Sequence, residues 1–230
     1  MPNYSFDGQA LPSRAVYSDT AASVNPNERK LYLATKRLLD FFGALAGLLL
    51  LTPLFAIVAA LIKLEDPKGS VFFKQVRVGK DGREFHMYKF RSMIANAEAL
   101  LDELLDQNEV GGAMFKMKND PRVTRIGRFI RKTSIDELPQ LWNVLRGEMS
   151  LVGPRPSLPR EVEEYSHFDR QRLLVTPGCT GLWQVSGRNS LSFDEMVELD
   201  LHYIEKRSFF YDVKLIIRTV KIMIAPNSAY

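Results

Sequence analysis

The 230-residue chain has a single cysteine, Cys179, and only three histidines, His86, His167 and His202. One cysteine excludes an internal disulfide and allows a reducing, cytosolic setting. The histidines do not fall at metal-ligand spacings, which sets aside a zinc site built on them. No phosphate-loop signature, GxGxxG fingerprint or GxSxG elbow is present, which counts against nucleotide hydrolases, dehydrogenases and serine hydrolases. Internal repeats are absent too. The basic excess is small, 31 Lys and Arg against 27 Asp and Glu for a net charge of +4. That is too mild to imply nucleic acid as a partner. The length suits one domain with a sizeable core.

One stretch lacks charge altogether. Phe41 to Ile62 runs for 22 residues without Asp, Glu, Lys or Arg and includes Leu48, Leu49, Leu50 and Leu51 in succession. At about 1.5 Å per residue this covers a hydrocarbon core of about 30 Å, and it exceeds the 10–14 residues usual for a buried core helix. Two features argue against a plain transmembrane span. Thr52-Pro53 lies at its middle, where proline removes a helical bond and disfavours helical geometry at the preceding residue. Both flanks are basic, with Lys30, Lys36 and Arg37 before and Lys63, Lys68, Lys74 and Arg77 after, so the positive-inside rule holds both on the cytoplasmic side. The pattern predicts a re-entrant membrane helix over 30–66, broken at Thr52 and Pro53, that dips into one leaflet and returns. It follows a disordered tail over 1–29 and precedes a cytosolic domain over 67–230. With about 40 residues ahead of the apolar run and no cleavage site, a cleaved signal peptide is not expected.

What the rest of the chain does contain points to anions. Arg122, Arg125, Arg128, Arg131 and Lys132 follow one another with no acid between Asp120 and Asp136. Steps of three on a helix fan these cations over about half its circumference, leaving Ile126, Phe129 and Ile130 for a core. Two carboxylates come next, in Ser134-Ile135-Asp136-Glu137, and then the rigid turn Gly153-Pro154-Arg155-Pro156. Cations, a carboxylate pair and a fixed arginine together supply phosphate clamps and a nucleophile or metal ligand. Ser134 and Glu137 have capping-box spacing, but Pro139 would then fall inside the helix and delete a real bond. Starting the helix at Asp136 removes that conflict and uses Asp136 as the cap. Either start puts Asp136 in a first turn, where helix dipole and arginines favour its ionised form.

Around this centre the elements read as α+β. Val71 to Val78 and Arg83 to Phe90 are strand-like runs joined by Gly79-Lys80-Asp81-Gly82, a hairpin with Lys89 near its end. Leu100, Leu101, Leu104 and Leu105 with Glu98, Asp102, Glu103 and Asp106 make an amphipathic helix that Gly111-Gly112 ends. Pro177 to Gly181 and Ser186-Gly187-Arg188-Asn189 are glycine-rich turns able to bring backbone N–H groups and Arg188 to a ligand. Ser192 to Glu195 is a second capping box, opening a helix that ends in Lys206 and Arg207. Asp212 to Ile224 sets Lys214, Arg218 and Lys221 on a stripe of an apolar helix, suited to a membrane surface.

Lys36-Arg37-Leu38-Leu39-Asp40 ahead of the apolar helix, Tyr88 to Met93, Asp120 to Thr124, the Ser134 to Gln140 run, Arg146 to Ser150, Val152 to Pro156 and the stretch from Pro177 to Asn189 resemble the bacterial sugar transferases, the monotopic polyprenyl-phosphate phosphoglycosyl transferases. The resemblance runs from about Lys30 to the end of the chain. Thr52-Pro53 replaces the family's usual Ser-Pro, and Cys179 stands where an aliphatic residue is usual. The short form, without a multi-span amino-terminal domain, is most similar to the galactose-1-phosphate and glucose-1-phosphate transferases of exopolysaccharide synthesis. The implied reaction moves sugar-1-phosphate from a UDP-sugar to undecaprenyl phosphate and releases UMP, through a phosphosugar-aspartyl intermediate on Asp136. Glu137 would handle Mg²⁺ or a proton, with Mg²⁺ held at Asp136 and Glu137. Lys89, Arg131 and Arg155 would contact phosphate, and Arg188 and Asn189 would belong to a substrate loop. The resemblance places the protein at the bacterial inner membrane with its catalytic domain on the cytoplasmic face. It implies membrane lipids as partners and leaves room for a homo-oligomer.

Overall fold

The computed structural model describes residues 5–6, 9–10, 24–97, 99–100, 117, 120–187 and 191–224. Two short strands, β1 (Ser5–Phe6) and β2 (Gln9–Ala10), pair antiparallel. Helix α1 (Lys30–Glu65) leads into the hairpin β3 (Phe72–Val78) and β4 (Glu84–Phe90). There follow α2 (Arg125–Lys132), a 3₁₀ turn at Ile135–Glu137, α3 (Gln140–Arg146) and β5 (Ser150–Val152). The remainder is α4 (Pro159–Glu163), α5 (His167–Arg170), β6 (Gly178–Thr180), α6 (Leu182–Ser186), α7 (Phe193–Lys206) and α8 (Phe209–Ile224). This is the α+β architecture, mainly helical, that the sequence predicts.

The break expected at Thr52-Pro53 is not an interruption, because helical geometry runs from Lys30 through Pro53 to Glu65. Pro53 deprives the Leu49 carbonyl of its usual donor. The Thr52 hydroxyl donates to the neighbouring Leu48 carbonyl at 2.8 Å, and one lost bond does not unwind a helix of 36 residues. Tyr32, Lys36, Asp40 and Ala44 form a buried stripe, and Val58 and Ile62 bury again about four turns on, near the same angular position. Between Ala44 and Val58 no residue is buried, and Leu49, Leu50 and Ile57 are more than half exposed. The most apolar 18-residue window is 11% buried, which argues against the core helix of a soluble protein.

Both ends of α1 bond to the same body. Near its start, Asp40 accepts from Ser150 Oγ and Leu151 N, and Arg37 donates to the Val144 and Leu145 carbonyls at the end of α3. Near its end, the Glu65 carboxylate accepts the N–H groups of Arg125 and Ile126, which open α2. Asp66, just beyond, pairs with Arg91 at 2.7 Å.

The β3–β4 hairpin pairs Phe72 with Phe90 through Val78 with Glu84. Its tight turn uses positive φ at Asp81 and Gly82, the chemistry an Asp-Gly hairpin requires. Three apolar clusters fill the body. The largest lies between α6, α7 and α8 and includes Leu182, Val197, Leu201, Tyr203, Ile204 and Leu215. A second joins Ala44 of α1 to Phe85, Met87, Val144 and Met149. The third joins Val58 and Ile62 to Phe90 and Ile130.

Two expectations need correction here. The stretch expected to be a disordered tail is docked at Val24–Arg29: Val24 is buried and bonds to Gln171, and Asn27 exchanges hydrogen bonds with Arg207. A polar, proline-containing sequence carries no periodicity, so contacts with residues nearly 150 or more positions away were not legible in it. Phe129, assigned to the core side of α2, is 56% exposed. Most of the expected helix around Leu101 to Asp106 and its Gly111-Gly112 end lie outside the described residues.

Candidate active site

A groove of about 890 Å³ opens between the hairpin, the 3₁₀ turn, the Arg155 loop and α6. Lys89, Arg131, Asp136, Glu137 and Arg155 all line it, so the five residues singled out across 67 positions converge.

The dyad is built on a single 3₁₀ turn. Ser134 adopts a left-handed conformation and forms no side-chain cap, Ile135–Glu137 make the turn, and α3 begins only at Gln140 with Pro139 as its N-cap. Of the two starts considered from the sequence, the one at Ser134 is adopted in part: Ser134 caps the turn that holds Asp136, but without a side-chain bond, and the turn is 3₁₀ while the α-helix waits until Gln140. Placing Pro139 at the cap resolves the conflict, since no intrahelical N–H is needed there. The Glu137 carboxylate, free of capping duty, accepts from Lys89 Nζ at 2.8 Å and lies 3.9 Å from Arg155 Nη1.

Lys89 is set in place by a buried amide. Asn143 of α3 accepts from Tyr88 N at 3.0 Å and donates to the His86 carbonyl at 2.7 Å, clamping α3 to β4 one residue before Lys89. Arg155 is fixed from its backbone. β5 pairs in parallel with β6, Gly153 N donates to Thr180 O, and Gly178 N donates to Pro154 O, each at 2.8 Å. A Cβ on Gly178 would meet the backbone of Gly153, so this close approach requires glycine. Pro177 to Gly181 is therefore partly a strand and not only a turn. On the far side, Val78 N donates to Ser157 O at 2.9 Å.

The cation ladder divides. Arg131 lines the groove, with Nε donating to Ser92 Oγ at 2.8 Å. Arg122 precedes α2, also lines the groove, and is buried and paired with Asp120 at 2.7 Å. Arg125, Arg128 and Lys132 are exposed on α2 and are not among the groove residues. Arg188 and Asn189 lie outside the described residues.

Electrostatics separates the two carboxylates. Burial pushes Asp136 up to about 6, with Lys89 and Arg131 pulling down and Glu137 pushing up. Asp136 does lie in a first turn, but that turn is a short 3₁₀ one, and desolvation outweighs it and the cations. Burial would raise Glu137 as well, but Lys89 and Arg155 outweigh it and hold the group at about 2. At neutral pH both are ionised, Glu137 fixed by its cations and Asp136 carrying the more basic oxygen. Among the described residues no three His, Cys, Asp or Glu side chains gather as a metal cage. Two adjacent carboxylates lining one cation-rich groove are of a type that suits Mg²⁺, which keeps water and needs no full protein cage.

The groove includes residues that sequence reasoning passed over. Gln75, Arg160, Trp183 and Gln184 line it. The buried Trp183 indole N–H has no acceptor among the described residues. Leu182 to Val185 read as a spacer between turns, whereas it folds as α6; Gln75 carried only the alternation of its strand.

Comparison with known proteins supplies the family. The bacterial sugar transferase family model matches residues 31–226, and the chain belongs to that family. It is 48% identical over 201 residues to the galactosyl transferase CpsE of Streptococcus agalactiae, covering 86% of this chain and 44% of the relative. To the UDP-galactose-lipid carrier transferase of Erwinia amylovora it is 46% identical over 199 residues, 85% of this chain and 41% of that one. The chain thus spans under half the length of these two relatives. With the exopolysaccharide production protein ExoY of Sinorhizobium fredii the identity is 39% over 224 residues, 94% of this chain and 99% of the relative.

Proposed function

We propose that the protein transfers sugar-1-phosphate from a UDP-sugar to undecaprenyl phosphate and releases UMP. The observation that carries this reading is Asp136, a buried carboxylate flanked by Lys89, Arg131 and Arg155 in one groove. Names among the relatives point the same way, including the UDP-galactose-lipid carrier transferase and the undecaprenyl-phosphate galactose phosphotransferase of Salmonella typhimurium. Galactose-1-phosphate or glucose-1-phosphate is the transferred group we favour, the latter after the undecaprenyl-phosphate glucose phosphotransferase of Komagataeibacter xylinus, with exopolysaccharide assembly as the setting.

The mechanism follows from the residues. Lys89, Arg131 and Arg155 draw the diphosphate into the groove and screen the dyad from its charge. An Asp136 oxygen attacks the sugar-bearing phosphorus, the bond from that phosphorus to the bridging oxygen breaks, and UMP leaves with the electron pair. An oxygen of undecaprenyl phosphate then attacks the same phosphorus and returns Asp136 as a free carboxylate. Glu137 stays ionised throughout and keeps Lys89 in position. Mg²⁺ would be held by Asp136 and Glu137 and would neutralise phosphate charge.

The membrane reading belongs to the same proposal. Both ends of α1 bond to one body, so a bend at Pro53 without loss of helix would let the exposed middle from Leu45 to Ile57 enter and leave one leaflet, at the cytoplasmic face of the inner membrane. The groove then stands where a soluble nucleotide and a lipid phosphate both arrive. Incubation with UDP-sugar, undecaprenyl phosphate and Mg²⁺ tests the proposal: UMP is the expected product. Release of UDP would instead indicate transfer of the sugar alone, and no nucleotide release from any UDP-sugar would leave a membrane scaffold as the better reading.

A further inference from the structure

Arg77 of β3 has surroundings that the transfer chemistry leaves unexplained. It is 6% exposed, and among the described residues no carboxylate forms an ion pair with it. Burial, and then Arg155 beside it, lower it to about 10, so it remains a cation at neutral pH. Its guanidinium is satisfied by neutral oxygens. Nε and Nη2 donate to Gln75 Oε1 at 3.2 and 2.6 Å, and Nη1 donates to the Pro156 carbonyl at 3.0 Å. A guanidinium has no acceptor, so only the oxygen of the Gln75 carboxamide can face it. The orientation of that amide is therefore fixed by chemistry.

The nitrogen is left over. Gln75 lines the groove, and among the described residues Nε2 makes no hydrogen bond. The hairpin register puts Gln75 opposite Met87 and Phe73 opposite Lys89. Side chains two apart on a strand share a face, so Gln75 stands about 7 Å along the strand from the pair that bears Lys89. That is close to the dyad and not at a remote end of the groove.

We propose that Gln75 is a substrate-contacting residue whose carboxamide N–H groups donate to an oxygen of the transferred sugar-1-phosphate, with Arg77 as the positioning residue that locks the amide. A locked amide offers donors only, which suits a phosphate oxygen or a sugar hydroxyl and refuses a competing donor. Arg77 adds a buried positive charge without occupying the groove. The inference rests on the transferase reading above.

The test uses the full chain in detergent or lipid nanodiscs, with UMP release measured over UDP-galactose, UDP-glucose and UDP-N-acetylgalactosamine. Gln75→Met removes the donor without adding charge. Gln75→Glu also removes the donor, yet offers Arg77 a better acceptor. Both should raise KM for the nucleotide sugar by about tenfold or more, and Gln75→Glu should melt at or above the wild-type temperature. Arg77→Lys keeps the charge, loses the two-pronged grip on Gln75 and should give an intermediate KM. Loss in equal proportion over the three sugars places the contact on phosphate, and a changed preference among them places it on a hydroxyl. Gln75→Met with wild-type KM below its melting temperature overturns the proposal, as does Gln75→Glu with wild-type kinetics, which would leave Gln75 a mere support for Arg77. Wild-type protein that releases no UMP from any of the three overturns the transferase reading and this inference together.

Discussion

Lys36 Nζ lies 2.9 Å from the carbonyl oxygen of Val152, the last residue of the strand that delivers Arg155. The same ammonium pairs with Asp212 of α8 at 3.0 Å, and the Tyr203 hydroxyl donates to Asp212 at 2.6 Å and lies 3.1 Å from Val152 O. Helix α1, the Arg155 loop and α8 thus meet at one buried cation, which ties the apolar helix to a groove-lining arginine.

Lys36→Met should therefore cost more than a surface substitution. It leaves the Asp212 carboxylate buried with two tyrosine hydroxyls and no cation, and breaking a buried pair from one side typically costs about 3–5 kcal/mol. Chemical denaturation should show this loss. A double variant Lys36→Met/Asp212→Asn should recover part of it, whereas additive losses would mean that the pair is not coupled.

The dyad makes a sharper prediction. Asp136→Asn should abolish UMP release while stabilising the fold, because it removes a buried charge. Burial raises folded Asp136 from an ordinary 3.8 to about 6, so its ionised form costs on the order of 1–3 kcal/mol above pH 6. The cost vanishes as pH falls from about 6 to about 4, since protonation discharges the group in the folded state first. Asp136→Asn should thus melt higher than wild type at pH 8 and about equally near pH 4. Turnover retained by the folded variant would sink the nucleophile assignment.

Activity should follow the same titration. With ionised Asp136 as nucleophile, kcat/KM should fall on acidification through about pH 6. Glu137→Gln removes a negative neighbour that raises Asp136, so the acid limb of whatever activity survives should move to lower pH. An unmoved limb would assign it to another group.

Arg155 offers a test of geometry against charge. It is 40% exposed and only 3.9 Å from Glu137, so its guanidinium is not committed to a close bidentate pair within the protein. Arg155→Lys should lose at least about tenfold in kcat/KM if the planar fork grips phosphate. Equal kinetics would show that a point charge suffices.

Topology can be read by labelling. Single cysteines near Lys30 and Lys68, in a Cys179→Ser background, should both react with an impermeant thiol reagent only once the cytoplasmic side is opened. Labelling near Lys30 from outside and near Lys68 from inside would make α1 an ordinary span.

Much of this site was legible because its chemistry is written in residue type. Arg131, Asp136, Glu137 and Arg155 stand in a cation ladder, a carboxylate pair and a rigid turn, whereas Lys89 was singled out only by the family resemblance, and the structure gathers all five in one groove. The local backbone was less legible. Ser134 at positive φ and Pro139 at a cap reflect Glu137 being drawn to Lys89, 48 positions away, and local capping rules carry no such pull. Val24 was hidden for a similar reason, since its partner Gln171 is remote in the chain. Gln75 was invisible as a candidate because a glutamine on a strand says nothing until its amide is seen against Arg77.

The two buried stripes of α1 carry one more consequence. Ala44 and Val58 must face the same body from opposite ends of an otherwise unburied stretch, and each residue added or removed between them turns one stripe by about 100° relative to the other. A single-residue deletion near Leu50 would swing Val58, Ile62 and the Glu65 cap off α2 even though the segment stayed long and greasy enough for a bilayer. Length variation in this region is thus restricted to steps close to whole turns, so the helix is subject to an angular register as well as a thickness.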